Sequence, residues 1–397
     1  MARAPYPIVI TILGIVAGLT PLAIDMYLPA IPALGLHFSE PVERVQLSVS
    51  VYLLFFGFGQ LLFGPLTDAI GRLKVMNGGL MLFGFASLGC IFSHNLEQLL
   101  MWRALQAVAG AATSVVTMGM IRDRFKRDEF ARAVSFVMLV MQLAPLLAPI
   151  LGGYLLVFAG WESLFVLLAI VAMVMLLAVS LGLGETLPPE RRHSLSFRSA
   201  IKTYLTILRH RPCLGLLLVG IMTAGSLFSF IAAAPFVYIE HFGVAPENFG
   251  YIFGLNVVLM MICTSFNARY VAKLGARRML SIGLTIAAFG AVLMLLCQLI
   301  APDWMWGMTI PGVFILGPIG MIAANSTSLA LEYFDNAAGS VAALGGFMRF
   351  TWGAASSGLI SWLHNDTTSP LAFMMISCTS AAVLIFWLQS RATLSRD

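Results

Sequence analysis

Two residues of opposite charge, Asp25 and Arg103, stand inside long apolar runs of this 397-residue chain. An ionised carboxylate is costly in hydrocarbon, which suits Asp25 to taking up and releasing protons near neutral pH. Arg103 is the natural countercharge, and the expectation is an Asp25–Arg103 pair or a water-bridged neighbour relation. The competing reading is that Asp25 caps structure at the outer mouth of its helix. A third intramembrane charge, Arg349, either meets a ligand or bonds to backbone carbonyls. Other chemistries find no support. Neither paired carboxylates nor a nucleophile–base arrangement stands in the apolar runs. His37, His94, His241 and His364 fall in outer breaks and His193 and His210 in the central one, so they read as surface residues. The five cysteines are too widely spaced for a disulfide framework or a zinc site. The Gly-rich phosphate loop of the Walker type is missing, so no direct use of ATP is expected. No metal, cofactor or enzyme activity is expected.

The elements that must hold these charges are membrane helices. Hydrophobic residues make up 59% of the chain, charged residues 10%, and the mean hydropathy is +0.92. That is too little charge to cover a soluble surface. Twelve apolar runs follow, over residues 8–31, 45–66, 75–92, 96–121, 131–159, 164–183, 214–239, 249–266, 279–300, 305–331, 338–363 and 371–388. Their lengths match a helical crossing of the bilayer, where every backbone polar group must be satisfied within the segment. The basic residues test the count. With the N-terminus inside, all of the 23 Lys and Arg fall on the cytoplasmic side except Arg44, Arg103 and Arg349. Both termini are therefore expected in the cytoplasm. The net charge of +5 reflects this bias and gives no reason to expect nucleic acid. The first run carries Asp25, Pro21, Pro29 and Pro32 and lacks a small-residue cleavage site, so it reads as a helix and not a leader. Asp25 lies seven residues before Pro32 and Arg103 seven after Leu96. At 1.5 Å per residue both sit about 10 Å below the outer boundary.

The longest polar break, residues 184–212, reads as a cytoplasmic linker loop between six-helix halves spanning 1–183 and 213–397. Gly64-Pro-Leu-Thr-Asp68-Ala-Ile-Gly71-Arg72-Leu-Lys74, after the second run, has an echo at Ala268–Arg278, after the eighth. Gly71 aligns with Gly275 there, but Asp68 aligns with Ala272. The first of these segments resembles the G-x-L-x-D-x-x-G-R-x-K signature of the major facilitator superfamily. That resemblance implies an all-α fold of two pseudo-symmetric six-helix halves. It also implies a cytoplasmic latch built from Gly64, Asp68, Gly71, Arg72 and Asp123, with the glycines allowing a tight turn and close approach. In the fourth run, Arg103-Ala-Leu-Gln106-Ala107 is similar to the family's R-x-x-Q-G pattern, with Ala107 in place of glycine. In the fifth, Ala148-Pro149-Ile-Leu-Gly152-Gly153 resembles the G-P-x-x-G-G motif of drug–proton antiporters, with Ala148 for the first glycine. Its proline bends the helix and its glycine pair permits close packing.

Asp25-Met-Tyr27-Leu-Pro29, Glu185–Arg192, Phe236–Glu240 and Ala245–Gly250 are similar to segments of the Bcr/CflA (bicyclomycin-resistance) subfamily and spread the likeness along the whole chain. What the resemblance implies is a monomer in the bacterial inner membrane that exports bicyclomycin, sulfonamide or chloramphenicol-type compounds in exchange for protons. Tyr27, Gln106, Ser226, Phe230, Phe236, Tyr238, Asn256, Asn325 and Arg349 are the candidate substrate-facing residues. Aromatic side chains and 22 methionines suit adaptable recognition of apolar compounds, although such residues also face lipid or core. The alternatives are a proton-coupled exporter of a metabolite such as an amino acid or short peptide, a passive channel, and an intramembrane enzyme.

Overall fold

The structure, a computed structural model, describes residues 6–125, 128–192, 197–334 and 337–394. Arg3, Lys126, Arg127, His193 and Arg396, and both chain ends, lie outside the described residues. Helix α1 (Tyr6–Asp25) is followed by a short 3₁₀ turn (Leu28–Ala30) and α2 (Ile31–Phe38). Then come α3 (Val42–Ile70), α4 (Arg72–Ile91), α5 (Leu96–Arg124), α6 (Asp128–Ala159) and α7 (Glu162–Gly182). Beyond the linker lie α8 (Phe197–Arg209), α9 (Arg211–Ala234), a π-helical turn (Pro235–His241), α10 (Pro246–Leu274) and α11 (Ala276–Ile300). The series ends with α12 (Met305–Leu316), α13 (Ile319–Leu331), α14 (Ala338–Trp362) and α15 (Ser369–Leu394).

Among the described residues eleven helical spans, some built from two helices in series, are long and apolar enough to cross a membrane. The twelfth, α14, is 25 residues long but carries Arg349 and several Gly and Ser, so it falls short in hydropathy and not in length. Many large apolar side chains on these helices face outward, Phe158, Leu181 and Ile300 among them. Such exposure is at home against lipid. The chain is an all-α, multi-pass membrane protein.

Two of the spans are broken where the sequence suggested single helices. The first runs on to Phe38 but is interrupted after Asp25, because Pro29 and Pro32 supply no N–H to continue the α-helical ladder. The tenth is interrupted at Gly317 and Pro318, between α12 and α13. The linker also departs from expectation: it is not a plain loop but contains α8, whose apolar residues sit within a mostly polar, basic segment.

The chain forms two compact units, one comprising Met1–Phe197 with Pro246–Gly250, the other Arg198–Ala245 with Tyr251–Asp397. In the first, α5 packs on α3 and α4, α4 on α7, and α1 on α6. The buried face of α5 carries Ala107, Ala109, Gly110, Ala111, Ala112 and Thr113. Small residues on one face let neighbouring backbones approach closely, which is how membrane helices gain packing energy without a hydrophobic drive between them. In the second unit α9 takes the central place, packed by α13, α14 and α15. The echo between the two loops has a structural counterpart. Gly71 ends α3 with φ 110° and Gly275 ends α10 with φ 80°, and each starts the next helix directly. Only glycine adopts these angles without strain.

Candidate functional site

Arg103 is fully buried on α5. Its Nη1 donates to the carbonyl of Ala23 at 3.1 Å and to Gln106 Oε1 at 2.6 Å. The guanidinium lies over two rings, 4.6 Å from the centroid of Tyr27 and 4.5 Å from that of Tyr52. Gln106 Nε2 in turn donates to Ser87 Oγ at 2.8 Å. Among the described residues Nε and Nη2 of Arg103 find no hydrogen-bond partner. Cation–π contact and one charge-assisted fork therefore hold the group, each strengthened by the low dielectric of its surroundings.

Asp25 is buried at the C-terminal end of α1, two residues from the carbonyl that Arg103 grips. The expected ion pair is not formed: among the described residues no bridge within 4 Å joins Asp25 to Arg103. Instead Nη1 of the guanidinium turns to a carbonyl and an amide, and the face of the group lies over two rings. The two charges are neighbours through the Ala23–Tyr27 turn. Tyr27 shares a hydrogen bond of 2.9 Å with Ser48, which fixes the ring under the guanidinium.

α6 reaches the same turn. A Cβ built on Gly152 would run into the carbonyl oxygen of Met26, so the absence of a side chain lets α6 lie directly on the break in the first span. A Cβ on the neighbouring Gly153 would meet the backbone of Pro246 and Glu247, in the turn that belongs to the first unit. Pro149 stands one turn before these glycines in α6. Nothing in the sequence connected this motif to the residue after Asp25.

A second cluster gathers around Arg72, the first residue of α4. Its side chain is buried and bridges Asp68 at 2.6 Å and Asp123 at 3.0 Å, and it donates to Thr67 Oγ1 at 3.3 Å. The structure thus brings Asp68, Arg72 and Asp123 together. The arrangement adds Glu185, from the start of the linker, which accepts from the backbone N–H of Arg72 at 2.9 Å and of Leu73 at 3.3 Å. A carboxylate on a helix N-terminus satisfies orphan N–H groups and complements the helix dipole. The Glu185 carboxylate occupies the place a Cβ on Gly71 would take, so that glycine is required twice, by its φ and by its neighbour. Gly64 is different. It lies inside α3 with open space around it and makes no turn. All of this cluster lies within the first unit.

In the second unit the candidate residues separate into two sets. Ser226 bonds the carbonyl of Met375 and Thr379, at 3.3 Å each, and Asn325 donates to Asn267 Oδ1 at 2.6 Å and the carbonyl of Met321 at 2.8 Å. These polar groups are committed to helix packing. Phe230, by contrast, forms an aromatic corner with Tyr238 and Phe253, with ring centroids 6.3 and 5.6 Å apart. Tyr238 shares a hydrogen bond of 3.1 Å with Thr309, and Phe236 packs edge-on to His364 at 4.4 Å. Among the described residues Ser229 Oγ, Asn256 Oδ1 and Arg349 Nε are buried without hydrogen-bond partners, and Arg349 Nη2 makes a long bond, 3.5 Å, to Thr327. Phe236 and Tyr238 sit on the π-helical turn, whose wider register re-aims side chains and is frequent at functional sites. Apart from Pro235, no residue pattern announces this turn.

Broken helices and buried charge inside the membrane spans place polar groups at bilayer depth, as in membrane transporters. A family model described as Major Facilitator Superfamily matches residues 13–358, and the chain belongs to that family. It is 32% identical to a bicyclomycin resistance protein homolog of Haemophilus influenzae, over 98% of each chain. It is 28% identical to a chloramphenicol resistance protein of Pseudomonas aeruginosa, over 93% of this chain and 87% of that one. A solved bacterial homolog of the human lysosomal transporter Spinster shares the fold, with a TM-score of 0.76, 12% identity and 99% of each chain covered.

Proposed function

We propose that this chain is a drug exporter of the bacterial inner membrane, both termini cytoplasmic, that expels bicyclomycin, sulfonamide or chloramphenicol-type compounds by alternating access in exchange for protons. The two six-helix halves are its moving parts. The observation that carries the proposal is the Ala23–Tyr27 turn. There an intramembrane carboxyl ends one helix, the arginine of a second helix grips the turn's carbonyl, and the antiporter-like glycine of a third rests on it.

In this mechanism Asp25 carries the proton. Charging and discharging it changes the polar balance of a turn whose geometry Arg103 and Gly152 both read, so the proton acts on α5 and α6 through backbone position instead of through an ion pair. Gln106 is a positioning residue for Arg103. Phe230, Phe236 and Tyr238 supply an aromatic wall, with Ser229, Asn256 and Arg349 offering polar atoms that have bonds to spare. The driving force suffices: one charge moved through 100 mV is worth about 2.3 kcal/mol, enough for a gradient of neutral drug of roughly fiftyfold. The relatives named for resistance to bicyclomycin and chloramphenicol support the substrate class.

The test is substrate-induced proton release from acid-loaded everted vesicles, comparing the native chain with Asp25→Asn. Coupled release from the native chain and none from the variant is the expected result. Equal release from both would remove Asp25 from the mechanism.

A further inference from the structure

The second unit contains a cavity of about 520 Å³ that the transport reading leaves unused. Its lining includes Arg211 and Arg277, with Glu332 as the one acid among the described residues, together with the apolar Leu216, Leu329 and Phe386. Arg211 opens α9 and Arg277 is the second residue of α11, so two long helices begin here and present their positive ends to the same space. His210 accepts from the N–H of Cys213 at 3.3 Å, capping α9, and packs its ring on Tyr333 at 4.9 Å to close one side. By the distribution of basic residues this end of the unit faces the cytoplasm.

The helix leading into the cavity points to the same partner. α8 is anchored by Ile207, which is fully buried in a core with Cys213, Leu217 and Ala330. Ile201, Leu205 and Leu208, at i, i+4 and i+7, form a separate stripe that is exposed, and exposed Lys202 and Arg209 flank it on one side. An apolar stripe edged by cations is the pattern of a helix lying in the interface of an anionic leaflet.

We infer that this cavity holds the phosphodiester headgroup of an anionic glycerophospholipid from the cytoplasmic leaflet, with α8 lying in the interface beside it. Arg211 and Arg277 meet the phosphate, the acyl chains leave along Leu216, Leu329 and Phe386, and the stripe of α8 rests among neighbouring lipids. Glu332 tempers the site and disfavours further negative charge. The volume suits a headgroup, being within the range of small-ligand sites.

Native mass spectrometry of the purified full chain, titrated with phosphatidylglycerol or phosphatidylcholine, tests the assignment. Phosphatidylglycerol is expected to be retained over phosphatidylcholine. Each of R211Q and R277Q should weaken that retention about fivefold, from about 1 kcal/mol per cation near an anionic surface, and the double variant should abolish the preference. E332Q, which removes a charge without touching either arginine, should strengthen it; this keeps the test decisive if the double variant folds poorly. Equal retention of the two lipids by the native chain would overturn the proposal. So would unchanged retention in both E332Q and the arginine variants, or displacement of the lipid by millimolar inorganic phosphate, which would make this a site for a free anion.

Discussion

Replacing Gly152 with alanine probes the contact on which the proposed coupling rests. The added Cβ would overlap the carbonyl oxygen of Met26, which is backbone and has no rotamer by which to move aside. Either α6 retreats or the turn after Asp25 deforms. Overpacking of this kind costs about 1–3 kcal/mol, and a rigid backbone atom places it at the upper end. Alanine recovers about 1 kcal/mol of helix propensity. The net destabilisation is therefore about 2 kcal/mol. Gly64→Ala is the matched control: it lies inside α3 with nothing near its missing Cβ, so only the propensity gain remains and the variant should be as stable as the native chain or slightly more so.

Thermal unfolding in detergent, followed by loss of monodisperse protein, reads the stability difference. Proton release on adding drug reads function. Gly152→Ala should lose more coupled transport than its stability accounts for, because the displaced turn carries Asp25. A Gly152→Ala protein that matches the native chain in both assays would refute the reasoning.

Other expectations follow from the same geometry. Arg103→Lys keeps the charge but gives up the planar stack on Tyr27 and Tyr52 and the fork to Ala23 and Gln106; at about 1 kcal/mol for each ring lost, coupled transport should fall at least tenfold while membrane insertion is retained. Glu185→Gln removes the charge at the start of α4 and should lower the stability of the first unit by about 1 kcal/mol, read as a lower melting temperature. Gly71→Ala should be worse, since it combines a forbidden φ with displacement of that carboxylate; an equal effect of the two variants would show that the backbone angle is unimportant. Asn256→Ala should weaken drug binding with little effect on stability, whereas Asn325→Ala should destabilise the fold by about 1–3 kcal/mol, because it strips Asn267 of its partner.

The helices and their number were legible in the sequence because hydrophobic length and the sidedness of Lys and Arg are one-dimensional signals. Arg72 could be placed with Asp68 because they stand four residues apart on a known pattern; Glu185, more than a hundred residues away, could not, since only the folded chain returns it to the start of α4. The break after Asp25 was foreshadowed by Pro29 and Pro32, but the π-helical register of Pro235–His241 has no comparable signature. α8 escaped notice because a single amphipathic helix of 13 residues looks like a charged loop when judged by hydropathy alone.

The missing Asp25–Arg103 bridge was the least legible feature, and it shapes the proposed mechanism. Equal depth and opposite charge argued for a pair, yet sequence spacing says nothing about competing partners, and here a carbonyl and an amide engage Nη1 of the arginine while its face lies over two phenol rings. An acid locked to an arginine would have to break that bond with every proton it accepted. An acid at the end of a helix, beside an arginine already held by neutral groups, can change charge while the arginine stays in place. What would change is the turn between them, and because α6 rests on that turn through Gly152, the displacement would pass to a third helix. In the proposed mechanism, coupling through a shared backbone segment would require no exchange of ion-pair partners, and it would make the glycine as necessary to the proton step as the carboxylate.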